Sequence, residues 1–94
     1  MFQTFFTSRA DKELGKLPQG LRQKIYSEIK AFSEDPFLYP QIRKIEGTKF
    51  GYRLRLGRWR ILFCLFSKER RIEVVDIFLK KGKEDYNKRR HLLE

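Results

Sequence analysis

Four arginines, a glycine and a tryptophan crowd into the stretch Arg53-Leu54-Arg55-Leu56-Gly57-Arg58-Trp59-Arg60. Tyr52, Leu54 and Leu56 alternate with Arg53 and Arg55, which is the period of a half-buried strand. Gly57 stands at the first central position of a two-residue type II′ turn, where φ must be positive. With Gly57 and Arg58 as the turn, Leu56 faces Trp59 and Arg55 faces Arg60, and Arg53 lies two residues along on the same face. Like charges placed opposite one another cost a sheet roughly 0.2–1 kcal/mol. An anion held between them reverses that cost, and the planar fork of arginine matches phosphate. The face of Arg53, Arg55 and Arg60 is therefore read as a phosphate site. The competing reading is a solvated face whose arginines spread apart or pair with Asp76 or Glu73.

Other chemistries lack their residues. The chain has one His and one Cys, and it contains no HExxH, paired-Cys, Walker or GxGxxG sequence. A metal site would need scattered carboxylates in basic surroundings, so neither metal nor cofactor is expected. His91 lies in a polar C-terminal tract without an identifiable partner and reads as a surface residue. Cys64, inside the apolar run Ile61–Phe66, reads as a buried thiol suited to a reducing cytosol. The start Met-Phe-Gln-Thr-Phe-Phe has no basic leader or cleavage site, and no stretch approaches the ~18 apolar residues of a membrane span.

Charge distribution points the same way as the hairpin. The net charge is +10; residues 1–42 hold six Lys/Arg against five Asp/Glu, and residues 43–94 hold sixteen against seven. Such polarity implies a polyanionic partner, first a nucleic acid, then an acidic protein, then an anionic membrane surface. At 94 residues with 40% hydrophobic content, one domain is expected.

The elements that must position these residues follow from period and punctuation. Phe2 to Thr7, short and aromatic-rich, predicts a first strand. Ser8 and Asp11 form an S-x-x-D capping signal for a helix over 9–16, with Ala10, Leu14 and Leu17 on one face. After Leu17-Pro18-Gln19-Gly20, the spacing of Leu21, Ile25, Ile29 and Phe32 predicts an amphipathic helix ending before Asp35-Pro36. Residues 36–50, with Pro36, Pro40 and Gly47, read as a loop. Trp59–Ser67, apolar on both faces beyond Arg60, predicts a central strand covered on both sides. Ile72–Leu79 predicts the next strand, and Glu84–Leu93 a terminal helix or tail. The expected architecture is α+β: an N-terminal strand, a helical hairpin, then a three-stranded antiparallel meander, with helices on one face of the sheet. If Lys68, Glu69 and Arg70 form the last turn, Ser67 faces Arg71 and Arg60 faces Phe78. Lys80 then lies diagonally beside Arg60 with Lys81 on the other side. A four-residue turn or a bulge would exchange the two lysines.

The stretches Lys44-Ile45-Glu46-Gly47 and Gly51-Tyr52-Arg53-Leu54-Arg55-Leu56-Gly57-Arg58-Trp59-Arg60-Ile61-Leu62-Phe63 resemble the signature hairpin of the RelE/ParE toxin superfamily. Leu17-Pro18, Leu21-Arg22-Gln23-Lys24-Ile25 and Asp35-Pro36 are similar to its helical hairpin, and Phe78-Leu79-Lys80-Lys81 with Tyr86 to the last strand and tail of its RelE and HigB branches. The resemblance implies a RelE-like fold and the toxin of a type II toxin–antitoxin pair. Such toxins cleave messenger RNA in the ribosomal decoding site, using the RNA 2′-hydroxyl as nucleophile and leaving a cyclic phosphate. It implies catalytic roles for Arg53 and Arg55, where relatives often carry lysines, for Arg60 at the scissile phosphate, for Lys80 or its neighbour Lys81, and for Tyr86. Lys44, Lys49, Arg58, Lys81 and Lys83 are expected to contact RNA. Arginine is ill suited to exchange protons near neutral pH, so the general base is left among Tyr86, Lys80, Lys81, Glu84, the ribosome and the RNA. The implied partners are a cognate antitoxin with an acidic segment, messenger RNA and the 30S decoding site, in the cytoplasm. The alternatives are a ParE-like inhibitor of gyrase and a catalytically silent antitoxin-binding module.

Overall fold

The computed structural model describes residues 1–82 and 84–93, so the expected RNA contact Lys83 lies outside the described residues. The chain runs β1 (Gln3–Phe6), α1 (Ser8–Gly15), α2 (Gln19–Glu34), a 3₁₀ turn (Pro36–Leu38), β2 (Ile42–Lys44), β3 (Gly51–Leu56), β4 (Trp59–Phe66), β5 (Arg71–Leu79), α3 (Glu84–Arg89) and a second 3₁₀ turn (Arg90–Leu93). The strands form one mixed α+β sheet in the order β1-β5-β4-β3-β2, with β1 parallel to β5 and the other pairs antiparallel. No described helix is long and apolar enough to cross a membrane.

The apolar face expected of each helix is the face it buries. Ala10 and Leu14 of α1 and Ile25, Ile29 and Phe32 of α2 pack on Leu54, Ile61, Phe63, Leu65, Ile72, Val74 and Ile77. Leu17 and Leu21 pack at the edge of this cluster. The cap of α1 falls one residue before the expected Ser8: the Thr7 hydroxyl accepts from the Ala10 backbone N–H at 3.2 Å and donates to the Val75 carbonyl at 3.3 Å. Thr7 thus caps the helix while tying it to β5.

Two expectations are corrected. Residues 36–50 are not wholly loop, because Ile42–Lys44 pairs with β3; a three-residue edge strand is too short to display a period. Nor are the helices confined to one face. Leu62, Cys64, Val75 and Phe78 on the far side are covered by Leu93 and Ile45, with Tyr86 and Leu92 packed against them. The tail is a lid over the second face of the sheet, which is why β4 is apolar on both sides.

The register of β5 matters most for the site. Phe66 pairs with Arg71, so four residues, Ser67–Arg70, form the turn where three were expected, with Arg70 at φ +52°. Val75 is then an extra residue: Phe63 pairs with Val74 and Leu62 with Asp76. The longer turn and the bulge each shift the register by one residue and cancel. Arg60 consequently faces Phe78, as expected from a three-residue turn without a bulge.

Candidate functional site

The hairpin places its arginines as the turn arithmetic requires. Gly57 has φ +60°, Arg58 is not in the positive region, and Arg55 pairs with Arg60 and Leu56 with Trp59. Arg53 pairs with Leu62, so it shares the face of Arg55 and Arg60. Arg60 and Arg55 line a cavity of about 510 Å³ at the hairpin end, together with Gly57, Leu56, Gln41 and Glu28.

On the same face the tail completes a cluster. Arg60 Nε donates to the Tyr86 hydroxyl oxygen at 3.0 Å, and its Nη1 donates to the Gly57 and Trp59 carbonyls, each at 2.8 Å. Three bonds fix the guanidinium while Nη2 is left without a partner among the described residues. Lys80 Nζ stands 5.3 Å from the centre of the Tyr86 ring, a cation–π contact, and its backbone N–H bonds the Arg58 carbonyl at 2.9 Å. Tyr86 meets Phe78 edge-on at 6.0 Å. The Tyr86 oxygen accepts from Arg60, so its own proton is free to be donated into the cleft.

Carboxylates named in the competing reading are engaged elsewhere. Asp76, buried at the bulge, binds Arg89 Nε at 2.6 Å and Arg9 Nε at 3.4 Å, and it accepts from the Ile77 N–H at 2.9 Å. Glu73 approaches Arg71 at 3.9 Å. Among the described residues, no ion pair neutralises Arg53, Arg55, Arg60 or Lys80. Burial holds the Arg53 guanidinium below its usual value; nearby Tyr86 opposes this, and the like charges of Arg60, Arg55 and Arg43 add to it. A face with this charge balance favours an anion.

Several expected residues stand elsewhere. Lys81 leaves the cluster: its backbone N–H donates to the Asp85 carboxylate at 2.6 Å, and it lines a separate depression with Glu13 of α1 and Lys16 just beyond it. The Glu84 carboxylate sits against Gly82. Lys49 lies over Phe50, whose carbonyl accepts from the Leu65 N–H, at the far end of β4 and roughly 20 Å along the strand from Arg60. Arg58 is exposed at the hairpin tip next to the cluster. Lys44 lies over the Tyr52 ring, donates to the Thr48 carbonyl and borders a cavity that also touches Tyr86. His91 is exposed and Cys64 buried, its thiol pushed up to about 11 by burial and then by Glu73.

Two residues of this face were not expected. Arg43 is brought opposite Arg53 by β2, whose brevity hides it. Arg90 lies four residues beyond Tyr86, and that i, i+4 spacing was the available signal that both share one side of the tail.

No protein-family model and no curated protein matches the sequence. Solved structures do match. The crystal structure of the intact E. coli RelBE toxin–antitoxin complex superposes with a TM-score of 0.74 at 19% identity, covering 87% of this chain and 100% of that one. The archaeal RelE–RelB complex from Pyrococcus horikoshii gives 0.74 at 20% identity over 87% and 98% of the chains. The RelBE2 toxin–antitoxin complex from Mycobacterium tuberculosis gives 0.73 at 16% identity over 84% and 98%. At these identities the likeness concerns architecture alone: the chain has the fold of the RelE toxins.

Proposed function

We propose that this protein is the toxin of a type II toxin–antitoxin pair, acting in the cytoplasm as a metal-independent endoribonuclease on messenger RNA held in the ribosomal decoding site. The observation that carries the reading is the Arg60 Nε to Tyr86 hydroxyl bond of 3.0 Å, with Lys80 beside the ring and Arg53 and Arg55 on the same face. Solved RelE structures in complex with RelB support a cognate antitoxin, whose acidic segment would cover this face.

In the proposed reaction the 2′-hydroxyl oxygen attacks the adjacent phosphorus, the bond from phosphorus to the 5′-oxygen breaks, and a 2′,3′-cyclic phosphate and a 5′-hydroxyl end form. Arg60, through its free Nη2, and Arg55 stabilise the extra negative charge of the phosphorane-like transition state. Tyr86 gives its proton to the leaving 5′-oxygen, and the ammonium of Lys80 holds its ring in place. Arg53 binds the backbone beside the cut. The 2′-hydroxyl proton passes to an acceptor on the ribosome–RNA complex, which makes cutting depend on the ribosome. Purified ribosomes translating a defined message test this: the protein should cut within the decoding site and leave 5′-hydroxyl ends. An intact message together with inhibited gyrase supercoiling would instead place the protein with the gyrase inhibitors.

A further inference from the structure

A second cavity, of about 250 Å³, is bordered by Tyr86 and by arginines from three elements: Arg43 of β2, Arg53 of β3 and Arg90 of the C-terminal 3₁₀ turn. Arg43 and Arg53 are direct cross-strand partners, the arrangement in which like charges repel. Arg90 is seated on Gly47, where a Cβ would stand 2.9 Å from Nη1. Gly47, at φ +80°, therefore serves the guanidinium as well as the backbone. Arg90 Nε is buried without a hydrogen-bond partner, a deficit that a bound acceptor nearby would offset. Among the described residues none of the three arginines forms an ion pair, and Glu46 is the only carboxylate bordering the cavity.

We propose that Arg43, Arg53 and Arg90 form a second phosphate subsite, which holds the RNA backbone phosphate next to the one cut at Arg60. The proposal rests on the ribonuclease reading and adds the direction in which the strand runs, away from the hairpin turn and under the tail. Continuity favours RNA over an acidic peptide. A smaller cavity lined by Arg43, Arg53 and Arg55 joins the two sites. Arg53 and Arg60 are diagonal neighbours across the hairpin, roughly 7–8 Å apart, a step comparable with that between successive phosphates of an extended strand. Tyr86 stands between the sites, with its hydroxyl on Arg60 and its side chain bordering the second cavity, where a base can stack.

The test is fluorescence anisotropy of the whole protein with 2′-O-methyl RNA hexamers, which cannot be cut, each carrying one uncharged methylphosphonate linkage stepped along the strand. Wild type should lose affinity at two adjacent linkages. Arg43→Ala and Arg90→Ala should each weaken the all-phosphate hexamer about 3- to 10-fold, lower the salt slope by about one, and abolish sensitivity at one linkage only. Arg60→Ala should abolish it at the other. Arg43, exposed on an edge strand, keeps the test open if Arg90→Ala fails to fold. Glu46→Gln should tighten RNA binding, because it removes the only carboxylate that borders the cavity among the described residues. Unchanged affinity and salt slope in Arg43→Ala would overturn the proposal. Loss confined to an acidic antitoxin peptide, with RNA binding intact, would overturn it in favour of a protein-docking cavity. Absence of cleavage on ribosomes with the two-linkage pattern present refutes the nuclease reading alone; cleavage with the pattern absent refutes the subsite alone.

Discussion

Asp76→Ala should destabilise the protein by about 3 kcal/mol and release the tail that carries Tyr86. The Asp76 carboxylate is 1% exposed and joins three elements, binding Arg89 of α3 at 2.6 Å and Arg9 of α1 at 3.4 Å across the bulge of β5. Arg89, at 21% exposure, would be left largely buried and unpaired, and breaking such a pair costs about 3–5 kcal/mol. Its partial exposure places the loss at the lower end. Arg9, at 49% exposure, adds under about 1 kcal/mol, since solvent screens it. Against a total stability of about 5–14 kcal/mol for a chain this long, the midpoint in heat should fall by roughly 12–24 °C. Arg89 also lies 3.8 Å over the Phe78 ring, and Phe78 supports Tyr86, so the loss should reach the site. Urea titration monitored by circular dichroism gives the first quantity. A cycle with Arg89→Ala gives the coupling, expected to exceed about 1.5 kcal/mol. Stability of Asp76→Ala within about 0.5 kcal/mol of wild type would refute the assignment of this ion pair as the anchor of α3.

Cys64, its thiol raised to about 11, should resist iodoacetamide at pH 8 in the native state and react once urea unfolds the chain; mass spectrometry reads the difference. The backbone N–H of Lys81 foremost, and that of Gly82 after it, donate to the partly buried Asp85 carboxylate and hold it below its usual range. Its contribution is present above its unfolded value and lost as pH falls through its lowered folded value, so protection of the α3 amides should drop on acidification and Asp85→Asn should abolish that pH dependence. Gly57→Ala places a Cβ where φ is +60° in open space, so the cost of about 1–2 kcal/mol should be backbone strain alone, read by urea titration.

The hairpin was legible because its signals are local: alternation in β3, a glycine where the turn demands one, and pairing that follows by counting. The apolar faces of α1 and α2 were legible for the same reason, since Ala10, Leu14 and Leu17, and then Leu21, Ile25, Ile29 and Phe32, recur at helical spacing. What escaped depends on partners distant in sequence. β2 exists because β3 offers it an edge, and its three residues carry no pattern of their own. The cap shifted to Thr7 because that hydroxyl also reaches Val75, a contact 68 residues away. Arg60 met Phe78 because a four-residue turn and a bulge at Val75, each considered singly from the sequence, occur together and cancel. The tail's place on the second face follows from Leu93 over Cys64 and Arg89 on Asp76, and neither is visible in the polar tract that contains it. Arg43 and Arg90 escaped with the elements that carry them.

Arg60, Tyr86 and Lys80 acting together on a phosphate can be tested most directly by single-turnover cleavage of a message bound to stalled ribosomes, comparing wild type with Arg60→Ala and Tyr86→Phe at saturating protein. The cutting rate should fall about 100- to 1,000-fold in Arg60→Ala, with a comparable loss in Tyr86→Phe, while folding and antitoxin binding are retained. Wild-type cutting that leaves 5′-hydroxyl ends and survives Arg60→Ala at an unchanged rate would contradict the assignment of this cluster as the cleaving site.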